Sequence, residues 1–469
     1  YGSSERDFSF VLTDRTETSP VDITISAAGA SDNSTRLKVT AADAMETIFF
    51  SAKQKLTRAS LGSKTMSVIP TGKDLNISFT YESSGDNAAI AYLDYIKVVY
   101  NRVLSGASGQ FCFKTSSMQT HLAKSSDAVW EKTPDGGVKV YLPGELGVSF
   151  LPENAYSEFH LYTSTDVYTP LRSSLGDTYQ SPKLRAQLED DIEYIIVTDD
   201  EFREEAQRLA DHHLNFSGLQ TLVLTLDQIY DDFSAGNQDI AAIRNAIRYA
   251  YKANPSKLKY VCLFGDTSFD YKNRVPNNNN IVPTFHALNS FHVANSYMSD
   301  DFYAMMDVGE GDLGRSDEMD LAVGRMLFDT PLDAHAAVNK SIEYCHSYGD
   351  WQNSFTLLSD DPDKDWEVSI QQELDRLGDV LGEKKPFINV TKIHSDAYEQ
   401  VVTAAGDRYP AVNEALENQI NQGTLVVNYF GHGGEEGLAS EFIYDKNLAQ
   451  RLYHPGRYPL FVTSTCEFS

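Results

Sequence analysis

TLVVNYFGHGG, residues 424–434, is a short apolar run that stops on a histidine set between glycines. Its length, its β-branched and aromatic residues and its glycine boundary predict a buried strand. Upstream, AVNEALENQINQ (411–422) has helical spacing and PFINVTKI (386–393) reads as a strand. VSIQQELDRLGDVLG (368–382) is helical again, and SFTLLSD (354–360) is another strand. Downstream, YPLFVTSTC (458–466) is the last strand. The same alternation runs further back. YIIVT (194–198), TLVLTL (221–226), KYVCLFGD (259–266) and DLAVGRML (320–327) read as strands. EFREEAQRLADHHLN (201–215), DIAAIRNAIRYAYKA (239–253) and PLDAHAAVNKSIEYCHSY (331–348) read as helices. Short apolar strands alternating with amphipathic helices predict parallel α/β sheets from about residue 190 onward.

Active sites in such sheets lie at the carboxyl ends of the strands. Two strands end on chemistry there: one runs into Gly431-His432-Gly433-Gly434, the other into Cys466-Glu467. A thiol needs an imidazole within hydrogen-bond reach to act as a nucleophile at neutral pH. Cys466 is therefore the candidate nucleophile and His432 its general base. The backbone N–H groups of Gly433 and Cys466 are the candidate oxyanion hole. Taken singly, a cysteine at a strand end is more often a small buried hydrophobe, and a histidine between glycines can be a turn residue.

The chain changes character before about residue 170. LNISFTYES (75–83), LDYIKVVYNRVL (93–104), VKVYLPG (138–144) and FHLYTST (159–165) are strand-like and separated by Gly, Ser, Asn and Asp clusters. This predicts an all-β, sandwich-like front divided near SGASG (105–109), with LDYIKVVY, apolar on both faces, as an inner strand. The expected organisation is a β-sandwich-like domain over 1–108, a second β-rich region over 109–185, and α/β subdomains over 186–350 and 351–469.

With 67 acidic and 39 basic residues in 469, the formal charge is −28, which disfavours nucleic acid and basic docking on anionic membranes. No run of about 18 apolar residues predicts a membrane-spanning helix, and YGSSERDFSF lacks signal-peptide character. The four cysteines, Cys112, Cys262, Cys345 and Cys466, are scattered, which excludes a dense disulfide framework and a thiolate zinc site. No HExxH, GxSxG or Walker loop occurs. GEGDLG (309–314) fits GxGxxG literally, but its acids would repel a pyrophosphate, so it reads as a turn. Asp361, Asp363 and Asp365 begin like a calcium loop, yet Trp366 and Gln372 stand where an EF-hand wants Gly and Glu. No cofactor is required by this reading; a looser calcium site is compatible with those acids. His212-His213 and Cys345-His346 read as structural.

NYFGHGGEEG followed by PLFVTSTCEFS resembles the gingipain-like cysteine peptidases. SDDFYA (299–304), LAVGRM (321–326) and LKYVCLFGD (258–266) extend the likeness over roughly residues 190 to 469. The resemblance implies a caspase-like catalytic domain of two α/β subdomains, with the His432 turn as base and Cys466 as nucleophile. The family's catalytic subdomain continues past its nucleophile, so the second subdomain reads as incomplete here. Asp270 stands near the family's orienting acid. Asp300, with Asp301 beside it, stands at the acid of the P1 pocket in Arg-specific members. The β-rich front and GDTSFDY (265–271) most resemble the sortases of type IX secretion. That implies cleavage of C-terminal sorting domains from secreted cargo through a thioester, with transfer to a cell-surface lipopolysaccharide. It also implies outer-membrane secretion partners and a place on the surface of a Gram-negative outer membrane. The alternatives are a secreted endopeptidase that only hydrolyses and a non-catalytic cargo-binding or scaffold protein.

Overall fold

The computed structural model describes residues 4–104, 110–133, 135–155, 157–169, 183–314, 316–404 and 406–466. The expected division at 105–109 and Glu467 lie outside these residues. The chain forms two compact units, 1–180 with 286–299, and 181–285 with 300–469.

The first unit is all β. Strands Glu5–Val11, Asp74–Glu82, Thr35–Ala41 and Ala44–Phe50 form one antiparallel sheet, in that order. Ser60–Val68, Val21–Ala30 and Ile90–Tyr100 form another. Inward residues of both, among them Val21, Ile23, Ile25, Val39, Ile48, Phe50 and Ile77, share one core, as in a sandwich. The expected inner strand is an edge among the described residues: there Ile90–Tyr100 pairs only with Val21–Ala30 and leaves Tyr92, Leu93, Tyr95 and Val99 exposed. Aromatic and branched residues suit an open strand face as well as a buried one, so composition does not separate the two. A second, smaller pair of sheets spans Phe111–Lys114 to Glu158–Tyr162 around Val129, Val148, Phe150, Phe159 and Leu161. Residues 286–299 join this unit: Thr57 bridges His292, and the Val293 N–H donates to the Leu56 carbonyl at 2.8 Å.

The second unit carries two parallel sheets. In the first, β1 (Tyr194–Thr198), β2 (Thr221–Thr225), β3 (Tyr260–Phe264) and β4 (Ala322–Met326) lie in the order β2-β1-β3-β4. Helices cover both faces. Ile195 and Val197 pack with α2 (Leu226–Ser234) and α3 (Ile240–Ala253). Ile196 packs with α1 (Arg203–Ser217) and α4 (Pro331–His346). Two-sided burial is why these strands read as continuous apolar runs. Helix α2 was hidden in the sequence behind TLVLTL; its start is a capping box of Thr225 and Gln228.

The second sheet contains β5 (Ser354–Ser359), β6 (Asn389–His394), β7 (Val426–Phe430) and β8 (Leu460–Ser464), in the order β6-β5-β7-β8. α5 (Val368–Lys384) links β5 to β6, and α6 (Pro410–Gln422) leads into β7. Val412, Leu416 and Ile420 of α6 pack on Leu358, Val427 and Tyr429. The chain leaves β5 toward β6 on one side and returns to β7 on the other. The gap between the carboxyl ends of β5 and β7 is thus a topological switch point, where α/β sheets place their ligands.

Candidate active site

His432 stands two residues beyond the end of β7 at this switch point. Its backbone is fixed from three directions. The N–H donates to Asp360 Oδ2 at 3.1 Å, just past β5. The carbonyl accepts the Tyr429 hydroxyl at 2.6 Å and the Ala439 N–H at 2.8 Å. Gly431 makes the approach feasible: a Cβ there would meet the Tyr429 hydroxyl and lie 2.6 Å from Asp360 Cβ.

The imidazole is half-exposed, and its Nε2 lies 3.0 Å from Oε1 of Glu367, whose side chain is 2% exposed. Glu367 ends the loop between β5 and α5. Burial alone would raise its pKa. The His432 hydrogen bond, the backbone N–H groups of Lys364 and Asp363, and the Lys364 charge outweigh burial and hold it below the usual value of 4.5. An ionised carboxylate on Nε2 fixes the proton there and leaves the Nδ1 lone pair as the basic position. The Trp366 ring stands edge-on to the imidazole at 6.2 Å.

Cys466 arrives on the neighbouring strand. Phe430 pairs with Ser464, and the Gly431 N–H donates to the Ser464 carbonyl at 3.3 Å. Adjacent strands run about 4.8 Å apart, and His432 and Cys466 each follow the last pair by two residues. The thiol is free and exposed. Gly433 opposes Leu438 in a tight hairpin whose ladder bond is Ala439 N–H to His432 carbonyl. That makes Gly433 and Leu438 the non-hydrogen-bonded pair, so the Gly433 N–H points out of the hairpin.

Two expected acids fall elsewhere. The buried Asp270 carboxylate accepts the backbone N–H groups of Arg274 and Val275 at 2.5 and 2.6 Å, organising its own loop beyond β3. The acid on His432 is Glu367, from the loop beyond β5, because the imidazole belongs to the second sheet. Asp300 does not offer a free carboxylate to a basic P1 residue: Arg325 of β4 grips both its oxygens at 2.7 and 2.8 Å, and Thr284 adds a hydrogen bond at 2.7 Å. Arg325 also donates to the carbonyls of Gly265 and Val282, so the pair braces the first sheet. GEGDLG lies in an irregular stretch with Gly309 and Gly311 at positive φ, a turn as expected.

Glu367 was missed because the reading of DDPDKDWE stopped at calcium spacing. The signal was its place: the loop leaving β5 faces the loop leaving β7 across the switch point. Of the expected calcium acids only Asp361 joins a cluster, with Asp360 and Glu441; the Asp363 N–H serves Glu367. Burial, with repulsion from Asp361 and Glu441, pushes Asp360 up to about 7 against the opposing His432 N–H. Burial and Asp361 push Glu441 up as well.

Among solved structures, dimeric latent PorU from Porphyromonas gingivalis matches with a TM-score of 0.55 and 20% identity, over 73% of this chain and 35% of that one. The chain thus spans about a third of the length of PorU, and the likeness is one of fold. The complex of Porphyromonas gingivalis RgpB pro- and mature domains matches at a TM-score of 0.38 and 17% identity, over 58% and 55% of the two chains. The Arg-specific proteinase gingipain R matches at 0.40 and 17%, over 63% and 56%. A search of curated proteins by sequence finds no match. Residues 187–469, more than half of the chain, match the model of peptidase family C25, and the chain belongs to that family.

Proposed function

We propose that this chain is a sortase-type member of family C25, with Cys466 as nucleophile, His432 as base and Glu367 as the acid that positions it. The observation that carries the reading is the buried Glu367 on Nε2 of an imidazole whose strand runs in register with that of Cys466. Cys466 Sγ attacks the scissile carbonyl, and its proton passes to His432 Nδ1. The N–H groups of Gly433 and Cys466 hold the oxyanion. The imidazolium, stabilised by Glu367, gives the proton to the leaving amine, and the C-terminal fragment departs. A thioester remains. Water releases it as an acid; an amine on a surface lipopolysaccharide takes the acyl group in transpeptidation.

The fold shared with PorU supports cargo of type IX secretion as substrate, the outer-membrane surface as location and secretion components as partners. No helix among the described residues is long and apolar enough to cross a membrane. The P1 role expected of Asp300 has no support in its pairing with Arg325.

Incubating the protein with a cargo that ends in a sorting domain tests the reading, with the mass of each new carboxyl terminus as readout. Cleavage that requires Cys466, His432 and Glu367, with an amine-bearing glycan joined to the new terminus, is the expected result. Cleavage that yields only free acids would leave a hydrolytic peptidase, and no cleavage of any cargo would remove the catalytic reading.

A further inference from the structure

A cleft of about 680 Å³ lies beside the first sheet of the α/β unit, lined by Arg185, Glu189, Phe233, Arg248, Tyr249 and Lys252. Its volume falls within the range of about 300–1,000 Å³ usual for small-ligand sites. Helix α3 supplies Arg248, Tyr249 and Lys252, and α2 supplies Phe233. Arg185 and Glu189 precede β1, and the Asn254 side chain pins the end of α3 there by donating to the carbonyls of Glu189 and Asp190 at 3.3 Å. The cleft thus lies toward the amino ends of the strands, away from the carboxyl edge of that sheet.

The chain as a whole carries a formal charge of −28, yet three cations line this cleft against one carboxylate. Glu189 is engaged by the Tyr249 hydroxyl, which donates to it at 2.7 Å. None of the three cations has an ion-pair partner among the described residues, whereas Arg203, Arg208, Lys257 and Arg325 of the same unit each meet a carboxylate. Arg185 is held in place without being neutralised: it donates to the Asp232 carbonyl at 2.9 Å, and its guanidinium lies 4.4 Å from the centre of the Phe233 ring. Arg248 donates from Nε to the Met306 carbonyl at 2.7 Å, and its buried Nη2 has no acceptor. A guanidinium N–H left without an acceptor is costly. Arg244, Arg248 and Lys252 also follow one another four residues apart on α3, where like charges repel. Burial and then the Arg248 charge lower the Arg244 pKa, and the acids Glu310 and Asp317 offset this. No carboxylate pairs with Arg248 or Lys252 in the same way among the described residues.

Three cations over one engaged carboxylate leave a net charge of +2 at the cleft. A phosphate monoester, at about −1.5 to −2 near pH 7, matches it. Arginine offers forked donors to phosphate oxygens, and lysine adds a point charge. The acidic surface around the cleft repels a long polyanion more than a small one, which favours a single phosphate group over nucleic acid.

We propose that this cleft binds a phosphate monoester, with Arg185, Arg248 and Lys252 on the phosphate and Phe233 and Tyr249 beside the group that carries it. That group is a sugar or a lipid headgroup, which share this chemistry. The site stands apart from Cys466 and His432 and does not require that the chain cleave peptides.

Two probes separate the sources: calorimetric titration with glucose 6-phosphate, and co-sedimentation with phosphatidylcholine vesicles with and without phosphatidic acid. Succinate, a dianion without phosphate, is the control. Saturable binding of at least one phosphate probe is expected, at least about tenfold tighter than any binding of succinate and weakened at least about tenfold in Arg248→Gln and Lys252→Gln. A response to glucose 6-phosphate supports a sugar ester, and retention only on the phosphatidic acid vesicles supports a headgroup. Binding of neither probe would overturn the assignment, as would succinate binding equally well or affinities unchanged in both variants. Arg248→Gln also loses the bond to Met306; should it fail to fold, Lys252→Gln, at an exposed position, decides alone. Peptidase activity is not the readout, so a failure here is distinct from a failure of the catalytic reading.

Discussion

Glu367 and Gly431 each do one thing that a near-isostere cannot. Glu367 fixes the imidazole tautomer, so Glu367→Gln is expected to lower kcat by about 10²–10⁴ with little change in KM, the range for loss of a working general base. Steady-state kinetics on a cleavable peptide checks this, and an unchanged kcat would free His432 of its acid. Stability carries a separate signature. The folded-state pKa of Glu367 lies below its usual 4.5. Its contribution is therefore present above about pH 4.5 and lost as pH falls through the folded value. Thermal unfolding from pH 7 down to 3 should show a shallower acid decline in Glu367→Gln than in the wild type. Gly431→Ala should cost roughly 1–3 kcal/mol, because its methyl would enter space held by Asp360 and Tyr429. A denaturant midpoint equal to that of the wild type would contradict the close approach.

Between elements, the brace of the first sheet is the pair Arg325–Asp300, linking β4 to the loop before it. Arg325→Ala strands Asp300 and the carbonyls of Gly265 and Val282, and should destabilise the protein by about 3 kcal/mol, measured by urea unfolding. The strands and helices of the α/β unit were legible because burial on two faces makes their apolar runs continuous and glycine marks their ends. VVNYF and LFVTS were placed to within a residue or two for that reason. The edge role of Ile90–Tyr100 was not legible, since pairing partners are set by distant residues that leave no local trace. Asp300 and Asp270 failed in the same way. Position near a strand end made them candidates, but what occupies a carboxylate depends on Arg325 or on backbone N–H groups that only the fold brings near. The places of His432 and Cys466, just past the ends of two strong neighbouring strands, were legible for the same reason as those strands. The Glu367 contact with His432 was not, because it comes from a loop whose only sequence signal is a run of acids.

Across the whole molecule, the segment 286–299 belongs with the β unit although it interrupts the α/β unit. Trimmed to residues 181–469, the chain would lose Leu56, Thr57 and Arg58, the partners of Val293, His292 and Phe291. Limited proteolysis should then cut within 286–299 faster than in the full chain. The central claim concerns the thiol and imidazole at the carboxyl edge of the second sheet. It is tested most directly by iodoacetamide labelling of Cys466 at pH 6.5, in wild type and in His432→Ala, read for each thiol by peptide mass. Separate reading matters because Cys112 is also exposed and lies 2.8 Å from His160 Nδ1. Cys262, pushed up to about 11 chiefly by burial, serves as an unreactive internal control. The account predicts that Cys466 labels at least about tenfold faster in the wild type than in His432→Ala; equal, slow labelling in both would contradict it.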